Sequence, residues 1–167
     1  MKRTYSLTAV GLSVSLFIYL IYRSKSTVVN ELMASILSSD TYNQIRTSVR
    51  DAIPLNEAII FSLPGGLWLF CVTILSRDLY IDIKEYKIKI AVLPLLFAIG
   101  LEFMQLLHFN RGTFDLWDLG SYLVFWLPGY YGFQSRSSQQ NVLSVFTLEG
   151  FICVTCFLSV YLAHVNS

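Results

Sequence analysis

The residues of this 167-residue sequence that are best suited to chemistry lie in one short segment. They are Glu102, Gln105, Arg111, Asp115 and Asp118. A carboxylate can take up a proton, hold a cation or pair with arginine, and a glutamine amide both donates and accepts hydrogen bonds. Because the acids outnumber the single arginine, we expect at least one carboxyl group to be protonated, to bind a cation or to receive the positive group of a ligand.

The spacing of these residues brings them together if both halves of the segment are helical. Glu102 and Gln105 are three residues apart and share a helix face, as do the two aspartates that follow the turn. A short turn joins the two helices, so they are expected to be antiparallel neighbours. Glu102 should then lie at the depth of Tyr122, and Gln105 at the depth of Asp118. Thr113 is the expected N-cap of the second helix.

Three interpretations of this cluster are open. It could be a salt-bridge clamp between two helices, a site for a ligand or lipid headgroup, or a catalytic site in which an aspartate is the base and Arg111 holds an anionic group. For the whole protein, the alternatives to ligand binding are an intramembrane enzyme that acts on a lipid-linked substrate and a structural subunit of a membrane complex. Secondary candidates for the site are His108, Tyr122 and Glu149. The histidine could be a general base, and the glutamate a bundle-facing hydrogen-bonding residue or a proton-coupled group.

The composition indicates an integral membrane protein. Hydrophobic residues make up 54% of the chain and charged residues only 14%, whereas soluble domains carry about 25% charged residues. A net charge of +1 provides no basic surplus for a nucleic acid. The expected partners are therefore membrane lipids, and an envelope lipid or a membrane protein at the cluster. No cofactor or metal is expected, since the two histidines are far apart and all three cysteines lie in apolar runs.

Apolar runs predict an all-α fold, a polytopic membrane helical bundle of about five transmembrane helices, because a span needs about 20 apolar residues. Residues 1–167 should form one integral membrane domain. The predicted spans are residues 4–22, 58–76, 90–109, 114–133 and 142–163. Residues 24–55 have apolar positions at helical spacing and are predicted to form an amphipathic, interfacial segment outside the membrane.

The distribution of lysine and arginine predicts the orientation. With the amino terminus in the cytoplasm, the inner segments carry more basic residues than the outer ones, and residues 77–89 form a compact basic inner loop. The polar cluster then faces outward. The Pro64-Gly65-Gly66 triplet interrupts the second span, where we expect a kinked or locally unwound helix beside protein or a water-filled cavity.

The polar segment resembles the VanZ-like family of small bacterial membrane proteins. The pattern is Glu102-x-x-Gln105, then Arg111, then Asp115-x-x-Asp118 and an apolar span that ends in glycine. The resemblance covers residues 100–132 and implies a multi-span protein of the bacterial inner membrane with a role in the cell envelope and in antibiotic tolerance. The chain looks like a divergent member, because the second span opens without the Asp-Lys pair and the histidine that the family often has there.

Overall fold

The structure, a computed structural model, describes residues 2–23, 28–83, 86–109, 113–132, 139–141, 151–152, 154–156 and 158. The long helices are α1 (Lys2–Tyr22), α2 (Val28–Leu37), α3 (Ser39–Ala52), α4 (Glu57–Ser76), α5 (Leu93–Leu106) and α6 (Leu116–Tyr131). The strands are β1 (Leu79–Ile83), β2 (Tyr86–Lys89) and β3 (Gln140–Asn141), and a 3-10 turn, Ile90–Val92, leads into α5. The described part of the chain is therefore mostly helical, as the sequence predicts.

Helix α4 forms the centre of the described structure, and α1, α5 and α6 pack around it. Its residues Leu69 and Val72 are fully buried and form the core with Leu79, Ile90 and Ala98 from the following elements. In the most apolar stretch of α4, 50% of the residues are buried, whereas in that of α1 only 17% are buried. Helix α1 therefore has its apolar side chains largely on the outside, which is the arrangement expected of a helix that faces lipid.

Helix α4 passes through the proline–glycine triplet without a break. The chain is helical from Glu57 to Ser76, with Pro64 inside the helix. The Ser15 hydroxyl of α1 donates a hydrogen bond of 2.9 Å to the Pro64 carbonyl oxygen. The two glycines instead allow a close approach by α6, because a Cβ atom on Gly66 would lie 2.4 Å from the Phe125 ring. The triplet is thus a contact surface for neighbouring helices.

A small sheet lies where the sequence analysis predicts only a loop. Strands β1 and β2 form an antiparallel hairpin in which Tyr80 pairs with Lys89 and Ile83 with Tyr86, and β3 joins β1 in parallel. The expectation of an all-α fold is wrong at this place. Apolar and polar residues alternate along β1, the pattern of a strand with one covered face, and Leu79 at its start is buried in the core.

Two of the five predicted spans have the length and composition of a membrane-crossing helix, Thr4–Tyr22 and Glu57–Ser76. A buried core helix or an N-terminal signal sequence has these properties as well. The third predicted span is a shorter apolar helix, Ile90–Leu106, and the fourth contains the 16-residue helix α6. Most of the fifth, residues 142–163, lies outside the described residues.

The predicted amphipathic segment, whose apolar residues recur at helical spacing, contains two helices. These are α2 and α3, separated by Ser38 in the left-handed region with φ 65°. Large apolar side chains remain exposed on both helices, among them Leu32, Ile36 and Ile45. The helical structure of this segment is confirmed.

Candidate functional site

The centre of the predicted cluster is Glu102, which α5 places between α4 and α6. Only 3% of this residue is exposed. The Tyr122 hydroxyl of α6 donates a hydrogen bond of 3.3 Å to Glu102 Oε1, and the backbone amide of Asp115 interacts with the same carboxyl group. The predicted antiparallel hairpin, with Glu102 at the depth of Tyr122, is confirmed.

Asp118 lies beside Glu102 and has the same sign of charge. It occupies the first turn of α6, and its carboxyl group is near enough to Glu102 for the two negative charges to repel each other. Its Oδ1 atom is buried. The Asp118 backbone carbonyl accepts a 2.9 Å hydrogen bond from the Ser121 hydroxyl. The fold therefore brings two carboxyl groups together in largely apolar surroundings, where their mutual repulsion is poorly screened.

Helix α4 closes this site from the third side. The Ser121 hydroxyl also lies 3.3 Å from the Ser62 carbonyl oxygen. Gly65 leaves room for the Tyr122 ring, since a Cβ atom there would lie 3.0 Å from Tyr122 Cε1. We refer to the meeting point of the three helices, made by Ser62, Glu102, Asp118 and Tyr122, as the polar junction.

Three buried polar atoms of the polar junction have no hydrogen-bond partner in the described part of the chain. They are Glu102 Oε2, Asp118 Oδ1 and the Ser62 hydroxyl. An unsatisfied buried polar group costs about 1–3 kcal/mol, and more if it is charged. A proton, a cation or a hydrogen-bond donor between the two carboxyl groups would remove this cost. The junction therefore has the chemistry of a site for a positive group.

Asp115 has a structural task, and the expectation that Thr113 caps α6 is wrong. Asp115 is the N-cap residue of α6, and its carboxylate accepts a 2.9 Å hydrogen bond from the backbone amide of Trp117. Asp115 lies two residues closer to α6 than Thr113 does. Its carboxylate satisfies one of the unpaired backbone amides of the first turn, and its negative charge complements the positive end of the helix dipole. Its side chain is thereby oriented toward the backbone of α6.

His108 also has a structural task, because it ends α5. It adopts φ 59°, its amide donates to the Gln105 carbonyl at 3.0 Å, and the Phe109 amide donates to the Met104 carbonyl at 2.9 Å. These two bonds define a Schellman motif, with His108 at the position where glycine is usual. The imidazole is exposed, and the backbone conformation alone accounts for the place of this residue in the fold.

We expect His108→Gly to raise the free energy of unfolding by about 1 kcal/mol, because glycine adopts the left-handed conformation without steric penalty. His108→Ala, which removes the imidazole but keeps Cβ, should bring no such gain. Denaturant titration of the full chain in mild detergent measures both. A loss of ligand binding common to both variants would show instead that the imidazole itself is needed.

Of the other predicted residues, one makes no hydrogen bond to the junction and two lie outside the described residues. Gln105 is half-buried on α5 and makes no side-chain hydrogen bond to another described residue. Arg111 and Glu149 lie outside the described residues, so the predicted pairing of Arg111 with the acids is neither confirmed nor contradicted. Among the residues that the structure describes, no group of three or more metal-ligating side chains occurs.

The sequence analysis missed Arg23, which follows α1. Its guanidinium lies 5.1 Å from the centre of the Phe61 ring and 5.9 Å from that of Tyr19. Phe61 directly precedes Ser62 of the polar junction, so Arg23 lies at the same end of α4 as the junction. In the sequence, Arg23 stands out only as an arginine at the end of an apolar run, and the sequence analysis uses such residues only to predict the orientation of the chain in the membrane.

Two further arginines, on α3, were also missed. Arg46 is 2% exposed, and its Nε donates a 3.0 Å hydrogen bond to the Ile21 carbonyl, while its Nη2 donates to the Arg23 carbonyl. Arg50 Nε donates to the same Ile21 carbonyl at 2.8 Å. The last carbonyls of α1, which have no partner within the helix, are thus capped by α3.

No protein-family model, curated protein or solved structure matches this chain.

Proposed function

We propose that this chain is a membrane protein that binds the positively charged group of a lipid or other amphipathic ligand at the polar junction. The observation that carries the proposal is the state of Glu102: only 3% of the residue is exposed, and its buried Oε2 atom has no hydrogen-bond partner among the described residues. A second carboxyl, from Asp118, lies close to it. A cationic group would both satisfy these oxygens and neutralise their repulsion.

The membrane setting of this proposal has support from the two long apolar helices and from the composition. The five-span bundle, the cytoplasmic amino terminus and the interfacial position of α2 and α3 are parts of the proposal. So are membership of the VanZ-like family, a bacterial inner-membrane location and a role in the cell envelope. They rest on the sequence pattern around Glu102 and Asp118 and on the distribution of basic residues.

The clamp interpretation requires a cation that pairs with the junction carboxylates. The predicted cation, Arg111, lies outside the described residues, and the ion pair found within the described ranges joins Arg77 to Asp78, at the opposite end of α4. The enzyme interpretation retains Asp118 as its candidate base, because the Asp115 carboxylate caps α6. A structural subunit or a partner-protein site needs no unsatisfied buried carboxyl group. Ligand binding is the interpretation that makes direct use of the unsatisfied buried carboxyl oxygens.

We expect Glu102→Gln to weaken the binding of dodecylammonium to the full chain at least tenfold. The amide keeps the size of the side chain and the acceptor for Tyr122, but it removes the negative charge that the ammonium group needs. Asp118→Asn should act in the same direction. Isothermal titration calorimetry in dodecyl maltoside micelles, with helix content followed by circular dichroism, measures the effect on folded protein.

The matched control is Glu31→Gln, which makes the same chemical change at an exposed position on α2. It should leave the affinity within twofold of the unmodified chain. Equal affinities in Glu102→Gln and Glu31→Gln, or no saturable binding by the unmodified chain, would overturn the proposed function. Selective loss in the junction variants would support it.

A further inference from the structure

Beside its two acids, the polar junction has a basic neighbour, and this bears on the ligand class. Arg23 lies against Phe61, the residue before Ser62, at 5.1 Å from the ring centre. Its Nε atom is buried and has no hydrogen-bond partner in the part of the chain that the structure describes. A buried guanidinium nitrogen without an acceptor carries a cost of the same kind as the buried carboxyl oxygens. The site therefore presents one unsatisfied donor as well as unsatisfied acceptors.

The donor and the acceptors are neighbours, yet they do not satisfy each other. Arg23 is near enough to act electrostatically on Tyr122, which in turn hydrogen-bonds to Glu102. Over the described ranges, however, neither Arg23 nor either junction carboxyl takes part in an ion pair. The guanidinium stacks on two aromatic rings instead. A guanidinium group and two carboxyl groups thus lie at the same end of α4, and no ion pair joins them in the described part of the chain.

We infer that the ligand of the polar junction is zwitterionic, with an ammonium group held by Glu102 and Asp118 and a phosphate held by Arg23. This inference rests on the proposed function and specifies its ligand. An ammonium group alone would leave the Arg23 donor without an acceptor, and a phosphate alone would be repelled by two carboxylates. A ligand that carries both an ammonium group and a phosphate provides a partner for the carboxyl groups and for Arg23.

The chemistry of the residues favours phosphoethanolamine among such groups. A guanidinium presents two parallel N–H donors that match phosphate oxygens. A primary ammonium group carries three N–H donors, which suit two carboxyl oxygens and the Ser62 hydroxyl, all of which lack partners among the described residues. A quaternary ammonium group has no N–H to donate. Phosphoethanolamine occurs both as a lipid headgroup and as a free compound, and the two sources share this chemistry.

We expect lauroyl lysophosphatidylethanolamine to bind the full chain at least tenfold more tightly than dodecylammonium, because it adds the phosphate contact. Arg23→Gln should remove this advantage without weakening dodecylammonium binding, because the substitution takes away a positive charge near the two carboxyl groups. Arg23→Lys should restore part of it, since the charge is kept while the paired donors are lost. Arg77→Gln, which removes the same charge at the opposite end of α4, should change neither affinity. Calorimetry in dodecyl maltoside micelles measures the affinities of the unmodified chain and of the three variants for both ligands.

Free phosphoethanolamine distinguishes the two sources of the headgroup. Affinity equal to that of the lysolipid supports a soluble ligand, and much weaker but Arg23-dependent binding supports a lipid. The inference is overturned if dodecylammonium binding depends on Glu102 but the lysolipid binds no more tightly than dodecylammonium and Arg23→Gln does not change its affinity. The proposed function then stands. If lysophosphatidylglycerol, which has no amine, binds as tightly as the ethanolamine lysolipid, the inference fails as well. Absence of Glu102-dependent amine binding overturns the proposed function itself.

Discussion

Arg46→Ala is expected to lower the free energy of unfolding by about 3 kcal/mol, because hydrogen bonds from a charged group contribute about 1.5–3 kcal/mol and buried acceptors without partners add a cost. The substitution removes the bonds from Arg46 to the Ile21 and Arg23 carbonyls. Burial, and next the nearby charge of Arg50, lower the pKa of Arg46. The guanidinium nevertheless stays charged at any working pH, so this effect should not depend on pH.

The effect of Arg46→Ala should be concentrated where α3 contacts the end of α1. Hydrogen exchange is expected to accelerate in the last turn of α1, because its carbonyls lose their caps and the helix end frays. Gln44→Ala, a change at an exposed neighbouring position on α3, should leave both stability and exchange unchanged. A loss of stability spread evenly over all helices, with no local effect on α1, would contradict the capping role.

Gly66→Ala is expected to lower the free energy of unfolding by about 1–3 kcal/mol, the usual cost of adding atoms to a filled interior. A Cβ atom at Gly66 would lie 2.4 Å from Phe125 Cδ2 and 2.9 Å from Cε2. The ring must move, and α6 must move with it or lose contact with α4. Since α4 and α6 are two of the three helices that form the polar junction, binding of dodecylammonium should weaken in parallel.

Two companion variants separate this steric effect from the effect of alanine on a helix. Gly120→Ala lies on α6 with nothing within 4 Å of its would-be Cβ, and it should stabilise the helix by up to about 1 kcal/mol. Phe125→Leu combined with Gly66→Ala should recover part of the loss, giving a coupling energy in the double-mutant cycle. Additive effects in that cycle would exclude the ring contact as the cause. Chemical unfolding in mild detergent measures each free energy.

The pairing of α5 with the start of α6 can be predicted from the sequence, because it depends on local spacing. A helix has 3.6 residues per turn, so the place of Glu102 opposite Tyr122 followed from counting back from a short turn. The ends of the helices followed less directly. The Asp115 cap and the left-handed His108 each depend on which backbone conformation closes the turn, and several residues in that stretch could have taken either place.

The sequence by itself determined the apolar helices α1 and α4, the helices of the amphipathic segment and the carboxyl pair of the α5–α6 hairpin, because periodicity and composition act over one or two turns. The roles of Arg23 and Arg46 were decided only by tertiary structure. Both arginines act across large separations in the chain, Arg46 on the end of α1 and Arg23 on α4 and α6. A side chain's partner at such a distance is set by how helices pack, and helix packing depends on contacts such as that of Gly66 with Phe125.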